Sequence, residues 1–244
     1  IELVNYFIKG NIALTKVDED YPDNKLSGAV FEVYSDINGD GKLDKDDTLL
    51  GEMKELDGGV YQMSELRYGK YLVKETKAPT GFVLDEDVYA VSIEENGKTY
   101  TVENKAGVGF INAAQKGSLK IVKTSSDGKV EGFSFRVTGV DYDQTFKTDK
   151  NGEIVIEGLR IGDYTVSEVS DKASAGYILP ADKQATVKVN ATAIVQMHNE
   201  FRDTPKTGDD FNLGLWVSLA ALSVVGAGVL GFVGYKNRKK KKED

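Results

Sequence analysis

Short segments in which apolar and polar residues alternate make up most of residues 1–207. They are rich in Val, Ile, Tyr and Thr, and Asp-Gly, Asn-Gly and Gly-Gly pairs separate them. Alternation is typical of strands that bury one face, whereas a helix packed on a core repeats about every 3.6 residues, and no such period is sustained here. The pattern therefore predicts an all-β protein of the sandwich type.

The alternating pattern occurs twice. Three pairs of segments correspond: 59–75 with 152–168 without gaps, 11–18 with 118–125, and 107–117 with 194–201. Internal similarity of this kind predicts repeated structural units. We expect two domains, 9–115 and 116–201.

The first residues resemble the end of the first repeat. ELVNYFIKG (2–10) is similar to FINAAQKG (110–117), with Asn5 in the place of Asn112. This predicts that residues 1–8 are the last strand of a truncated upstream repeat. The alternative is a disordered terminus.

The end of the chain breaks the alternation. Residues 211–235 carry no charge and, at about 1.5 Å per residue, are long enough as a helix to cross a bilayer core of roughly 30 Å. A run of Lys and Arg in 236–244 keeps this end in the cytoplasm by the positive-inside rule. The sequence predicts a transmembrane helix, a basic cytoplasmic tail, a linker at 202–210 and an extracellular bulk.

Each repeat places the same three polar residues in phase with apolar ones. They are Lys16, Glu75 and Asn112 in the first repeat, and Lys123, Glu168 and Asn199 in the second. Because side chains alternate across a strand, all six are predicted to face the core. Burial of a charged Lys or Glu is costly unless the group is neutralised or paired. A recurring trio of this kind indicates a specific chemical role.

YLVKETKAPTGF (71–82) resembles the E-box of pilins and of collagen-adhesin B-type (prealbumin-like, SpaA-like) domains. YTVSEVSDKASAGY (164–177) keeps the Glu and the Gly-Tyr but lacks the Ala-Pro. The resemblance implies two tandem Greek-key prealbumin-like (Ig-like) β-sandwiches. It also implies that a first-strand Lys forms an isopeptide bond with a last-strand Asn, assisted by the Glu, and that Asn5 is the partner in the truncated repeat.

The burial of the trio fits this chemistry. An apolar site favours a neutral lysine amine and a protonated carboxylic acid. The amine can then attack the Asn side-chain carbonyl while the acid carries protons until ammonia leaves. The alternative is a Lys–Glu ion pair at the sandwich edge, with the Asn satisfying a strand end.

The first repeat contains an inserted loop, DINGDGKLDKDD (36–47). Its spacing matches a twelve-residue calcium loop, with Gly41 at the sharp turn. The predicted Ca²⁺ ligands are Asp36, Asn38, Asp40, Lys42 through its carbonyl, Asp44 and Asp47. Position 12 is Asp rather than Glu, and no helices are predicted around the loop. The alternative is an acidic turn.

The linker contains Thr204, Pro205, Lys206, Thr207 and Gly208. Pentapeptide, spanning helix and basic tail together resemble the cell-wall sorting signal of Gram-positive surface proteins, Leu-Pro-x-Thr-Gly, with Thr204 in place of Leu. The resemblance implies that a sortase cuts after Thr207 and joins it to a peptidoglycan cross-bridge or a pilin subunit, while the membrane holds the precursor. The alternative is a plain C-terminal membrane anchor.

Composition narrows the function classes. The chain has no cysteine, so an extracellular protein of this kind is stabilised without disulfides. Its net charge is −8, and the part before the basic tail is more acidic still, which disfavours nucleic acid. The single histidine, His198, leaves little material for a Ser-His-Asp or Cys-His group. No signal peptide precedes the exported part, so we expect the C-terminal piece of a longer precursor.

These features predict a cell-wall-anchored surface adhesin or pilin-like subunit in which two sandwiches form a stiff stalk. No enzyme activity is expected beyond autocatalytic isopeptide formation. Two alternatives stay open. One sandwich could itself bind a host matrix protein or glycan, or the piece could be the stalk of a larger surface enzyme.

Overall fold

The structure, a computed structural model, describes residues 6–202. Every regular element in this range is a β-strand, which confirms the all-β prediction. No helix that could span a membrane occurs among these residues. Asn5, the pentapeptide from Thr204 to Gly208, the predicted helix 211–235 and the tail lie outside the described residues.

The first sandwich consists of strands β1 to β9. Their bounds are Lys9–Asp18, Val30–Ser35, Thr48–Glu52, Lys54–Asp57, Val60–Arg67, Gly69–Lys77, Val88–Ile93, Thr99–Thr101 and Phe110–Asn112. One sheet has the order β4-β5-β1-β8, with β9 also paired to β1, and the other has the order β3-β2-β6-β7. Alternate residues of both sheets point inward and form one core, in which the Phe31 ring meets Tyr61 and Phe110 edge to face.

The second sandwich repeats this arrangement with strands β10 to β17. Their bounds are Lys116–Ser125, Ser134–Gly139, Tyr142–Lys147, Glu153–Arg160, Gly162–Glu168, Tyr177–Ile178, Lys183–Val187 and Thr192–Phe201. The sheets have the orders β13-β10-β17-β15 and β12-β11-β14-β16. Its core includes Leu119, Ile121, Phe135 and Val166, which are all fully buried.

In both sandwiches the first strand lies beside the last strand and runs parallel to it. The β10–β17 ladder extends from Ser118 opposite Thr192 to Ser125 opposite Asn199. The β1–β9 ladder has only the pairs of Lys16, Val17 and Asp18 with residues 110–112. The last strand of the first sandwich is therefore held by a much shorter ladder.

A tyrosine fixes the same corner in each sandwich. The Tyr71 hydroxyl donates to the Arg67 carbonyl at 2.6 Å, and the Tyr164 hydroxyl donates to the Arg160 carbonyl at 2.9 Å. In each sandwich the chain turns between the arginine and the tyrosine. The turn contains Gly69 in the first sandwich and Gly162 in the second, whose φ angles of 154° and 142° favour glycine. The corner orients β6 and β14, the strands that carry Glu75 and Glu168.

The two sandwiches form one compact unit, joined by a buried ion pair. Arg160 of the second sandwich donates to both carboxylate oxygens of Asp18, at 2.6 and 2.8 Å, and to Asp20 at 3.0 Å. The Asp18 side chain is only 3% exposed. The Arg160 guanidinium also stacks on the Tyr21 ring at 4.9 Å. Bidentate geometry of this kind fixes direction as well as distance.

Candidate functional site

Lys16, Glu75 and Asn112 meet in the core of the first sandwich. Asn112 on β9 lies opposite Asp18, two residues beyond Lys16 on the neighbouring parallel strand β1. An offset of two places the Lys16 and Asn112 side chains on the same face of the sheet. Glu75 lies opposite Phe31 in the facing sheet and reaches the pair across the core. All three side chains are buried.

The second sandwich reproduces these offsets. Asn199 on β17 lies opposite Ser125, again two residues beyond the lysine of the first strand, Lys123. Glu168 lies opposite Phe135, the counterpart of Phe31. Lys123 and Asn199 are buried, and Glu168 is half-buried. The structure thus brings each predicted trio together with the same geometry.

In both sites the asparagine amide is bound to the glutamate. Asn112 Nδ2 donates to both oxygens of Glu75, at 2.9 and 2.8 Å, while Asn199 Nδ2 donates to one oxygen of Glu168 at 2.6 Å. Each lysine amine donates to a main-chain carbonyl, Lys16 to Phe110 at 3.0 Å and Lys123 to Thr124. The glutamate is therefore placed to exchange protons with the amide nitrogen.

Three buried oxygens at the two sites lack a hydrogen-bond partner among the described residues. They are Asn112 Oδ1, Asn199 Oδ1 and Glu168 Oε2. A buried acceptor without a donor costs about 1–3 kcal/mol, and such exceptions are few in native proteins. That both asparagine carbonyls are in this state distinguishes the sites from satisfied structural networks.

Burial shifts the protonation equilibria of the lysines and glutamates toward neutral forms. It lowers the pKa of Lys16 to about 8, against the opposing effects of Glu75, Asp85 and Asp18. It also lowers the pKa of Lys123, opposed by Glu168 and Asp127. The pKa values of Glu75 and Glu168 are raised by burial, although the asparagine amides oppose the rise. At both sites burial therefore makes the neutral amine and the neutral acid more accessible than they are in water.

Asp85 and Asn104 lie near the first site, although the sequence pattern did not predict them as site residues. Asp85 donates its main-chain N–H to Glu75 Oε2 at 2.8 Å, and its carboxylate accepts a hydrogen bond from Asn104 at 2.7 Å. Both residues lie in connections between strands. Alternation cannot identify inward side chains there, so no sequence signal pointed to them.

The inserted loop 36–47 connects β2 and β3, and its carboxylates collect main-chain N–H groups. Asp36 accepts from Gly39 at 2.6 Å and Gly41 at 3.1 Å, and Asp47 accepts from Ile37 at 3.1 Å. Within residues 6–202 no group of three or more acidic, His or Cys side chains forms a metal cluster. Hydrogen bonds from the main-chain N–H groups of the loop to its own carboxylates hold the loop in this conformation.

Family comparison relates most of the described chain to one domain type. The SpaA profile, described as a prealbumin-like fold domain, matches residues 10–106 and 117–201. No curated protein matches the chain.

Several solved structures are similar. The Bacillus anthracis TIE protein is 26% identical with a TM-score of 0.59; the match covers 80% of this chain and 34%, about a third, of that one. The minor pilin GBS52 of Streptococcus agalactiae is 17% identical (TM-score 0.37, 82% of this chain and 100% of that one). The shaft pilin SpaA of Lactobacillus rhamnosus GG is 14% identical (TM-score 0.35, 79% and 98%).

The lowered pKa of Lys16 predicts how stability depends on pH when the amine is free. In an Asn112→Leu variant, Lys16 keeps a free amine and the neighbouring amide is absent. Between about pH 8 and its ordinary value of 10.5, the unfolded chain holds a proton that the folded chain has released. The free energy of unfolding of the first sandwich should therefore rise with pH across this window. Below about pH 8 the burial penalty is present in full.

The measurement is urea unfolding of this variant at a series of pH values. A Lys16→Met, Asn112→Leu double variant is the matched control, because it keeps the other titrating groups and removes only the amine. Equal pH slopes for the two proteins would contradict the expectation.

Proposed function

Because the chain belongs to the SpaA family of prealbumin-like fold domains, we propose that its two sandwiches form the C-terminal stalk and cell-wall anchor of a surface adhesin or pilin-like protein. In this proposal, Lys16–Asn112 and Lys123–Asn199 isopeptide bonds stabilise the stalk. The observation that carries it is the trio itself, which recurs with the same strand offsets in both sandwiches. The role is structural, with no turnover beyond bond formation.

The proposed reaction in the first sandwich is an amide exchange. The neutral amine of Lys16 attacks Cγ of Asn112, so that a new C–N bond forms. Protonated Glu75 gives its proton to Nδ2 and takes one from the attacking nitrogen, the Cγ–Nδ2 bond breaks, and ammonia leaves. The protons balance, because Glu75 gives one proton and takes one and is again a protonated acid at the end. The hydrogen bonds from Asn112 Nδ2 to both Glu75 oxygens support this path.

A plain ion pair accounts for the sites less well. It would use the lysine and glutamate as charged partners, and in neither sandwich is a salt bridge between them present among the described residues. Instead, each glutamate bonds to the asparagine amide, and each asparagine carbonyl lacks a donor. That arrangement suits an acid poised beside a leaving group and a carbonyl open to attack.

The bonds would change the mechanical and thermodynamic character of each sandwich. Lys16 and Asn112 lie near the two ends of the first sandwich, so their bond closes nearly the whole domain into one loop. Loop-closure arithmetic gives such a tie about 4–5 kcal/mol, by constraint of the unfolded chain. A cysteine-free extracellular stalk would gain in this way what others gain from disulfides.

Attachment is proposed to follow the sorting-signal resemblance. A sortase cysteine attacks the Thr207 carbonyl, the Thr207–Gly208 peptide bond breaks, and everything from Gly208 onward is released. An amine of the peptidoglycan cross-bridge or of a pilin subunit then takes the acyl group. The segment 211–235 holds the precursor in the membrane until that step, which places the mature protein on the cell surface.

We also propose that the loop 36–47 binds one Ca²⁺. Its candidate ligands are all oxygens, which is the donor type that calcium prefers. The N–H groups that converge on Asp36 and Asp47 support the proposal, because they hold the first and last candidate carboxylates of the loop in fixed orientations. Bound calcium would order the β2–β3 connection without touching the Lys16 site.

The cross-links predict the intact mass of the folded protein. Each bond removes one ammonia, so the mass should fall two ammonia units below the sequence mass. Glu75→Gln and Glu168→Gln should each restore one unit, because an amide cannot shuttle the proton. Glu157→Gln, at an exposed position of β13, is the matched control and should keep both bonds. An unshifted mass in a folded protein would refute the cross-links.

Calcium binding predicts a heat signal with a stoichiometry of one. Asp36→Asn should abolish Ca²⁺ uptake in calorimetry and leave the ammonia loss unchanged. Asp46→Asn removes the same charge from a loop position without a ligand role, so binding should persist. If the unaltered protein takes up no calcium at millimolar metal, the loop is only an acidic turn.

Sortase attachment predicts a defined C-terminus. Peptides from protein released by cell-wall hydrolases should end at Thr207 and carry a wall fragment. Thr207→Ala or Gly208→Ala should leave the protein in the membrane fraction, with Lys206→Ala as the tolerated control. Recovery of the unaltered protein only with detergent, still bearing the tail 236–244, would show a simple membrane anchor.

A further inference from the structure

The side chain of Asn104 takes the place of a neighbouring strand at the outer edge of β9. Its Oδ1 accepts a hydrogen bond from the Ile111 N–H at 2.7 Å, and its Nδ2 donates to the Ile111 carbonyl at 2.9 Å. One amide therefore satisfies both main-chain groups of Ile111, as a paired strand residue would. These two hydrogen bonds between Asn104 and Ile111 are called the Asn104 clamp below. Ile111 directly precedes Asn112, so the clamp lies next to the side chain that would react.

The last strand of the first sandwich has fewer ladder hydrogen bonds than the last strand of the second, so the Asn104 clamp contributes more there. β9 has three residues, whereas β17 has ten and pairs with β10 over most of its length. A short strand fixes its side chains less well, because few ladder hydrogen bonds oppose its displacement. Asn104 adds two such bonds at the position adjacent to Asn112.

Asp85 connects this clamp to the acid. Its Oδ2 accepts from Asn104 Nδ2 and from the Tyr89 hydroxyl, both at 2.7 Å, which fixes the orientation of the Asn104 amide. Its main-chain N–H binds Glu75 Oε2 at 2.8 Å. In the second sandwich the corresponding oxygen, Glu168 Oε2, has no partner among the described residues. The connection is thus a feature of the first site.

We propose that Asn104 and Asp85 are positioning residues for the Lys16–Asn112 reaction, Asn104 by holding β9 in register and Asp85 by tying Asn104 to Glu75. This inference rests on the proposed cross-linking function. Neither residue enters the bond changes: the new bond joins Lys16 Nζ to Asn112 Cγ, and ammonia leaves from the same carbon. Their contribution is the alignment of amine, carbonyl and acid, to which reaction rates are highly sensitive.

The charge of Asp85 provides a readout that a purely structural role would not affect. Three carboxylates act on the Lys16 amine: Glu75 from β6, Asp85 from its connection and Asp18 from β1, each favouring the ammonium form. Asp85→Asn keeps an oxygen that can accept from Asn104 and removes one of these charges. The amine should then be neutral at lower pH, and the pH at which cross-linking reaches half its maximal rate should move downward.

The experiment follows cross-linking of the whole chain during cell-free synthesis. Samples are quenched in acid at intervals, and intact mass with peptide mapping separates the Lys16–Asn112 bond from the Lys123–Asn199 bond. Asn104→Ala should slow the first bond by about tenfold or more, with the second bond as an internal reference that does not change. Asp85→Asn should shift the pH midpoint of the first bond downward. Asp87→Asn, an exposed neighbour that loses the same charge, should not.

Each outcome decides the matter. A first-site rate unchanged by Asn104→Ala, in a chain that otherwise cross-links, overturns the clamp alone. If Asn104→Ala prevents folding of the first sandwich, Asp85→Ala decides, because it loses the same charge as Asp85→Asn and also the oxygen that accepts from Asn104. A first bond that forms more slowly in Asp85→Ala than in Asp85→Asn supports the proposal, and equal rates overturn it. If the unaltered chain loses no ammonia in either sandwich, the proposed function fails and this inference fails with it.

Discussion

The cost of burying an ammonium and a carboxylate in an apolar core is the constraint on which the rest of this structure depends. Each sandwich places a buried lysine near a glutamate, which is fully buried in the first sandwich and half-buried in the second. Water would stabilise the charged forms, so its exclusion favours the neutral ones, as the lowered pKa of Lys16 and the raised pKa of Glu75 indicate. The same burial makes each site costly as an ion pair.

The two sandwiches place the three side chains at the same strand offsets, but different contacts hold the asparagine strand in each. The asparagine lies two residues beyond the lysine in both parallel ladders, and the glutamate lies opposite a core phenylalanine in both facing sheets. The second site relies on the long β17 strand. The first has the three-residue β9, together with the hydrogen bonds of Asn104 and Asp85.

The first site is also close to the contact between the sandwiches. Asp18 lies two residues after Lys16, opposite Asn112, and its carboxylate holds Arg160 of the second sandwich. An ion pair with one side chain almost fully buried fixes orientation, because its loss would leave an unpaired buried charge. The strand that carries Lys16 therefore also orients the second sandwich.

The sequence alone determined the strands, the repeat and the inward position of both trios, because alternation is a local property of an extended chain. It could not determine which strands are neighbours. Three contacts join residues that are far apart in the chain. They are the parallel pairing of β1 with β9, the approach of Glu75 from the facing sheet and the Asp18–Arg160 ion pair. Asp85 and Asn104 lie in connections without a period, so only the tertiary structure, through hydrogen bonds across the core edge, brings them to Glu75 and Ile111.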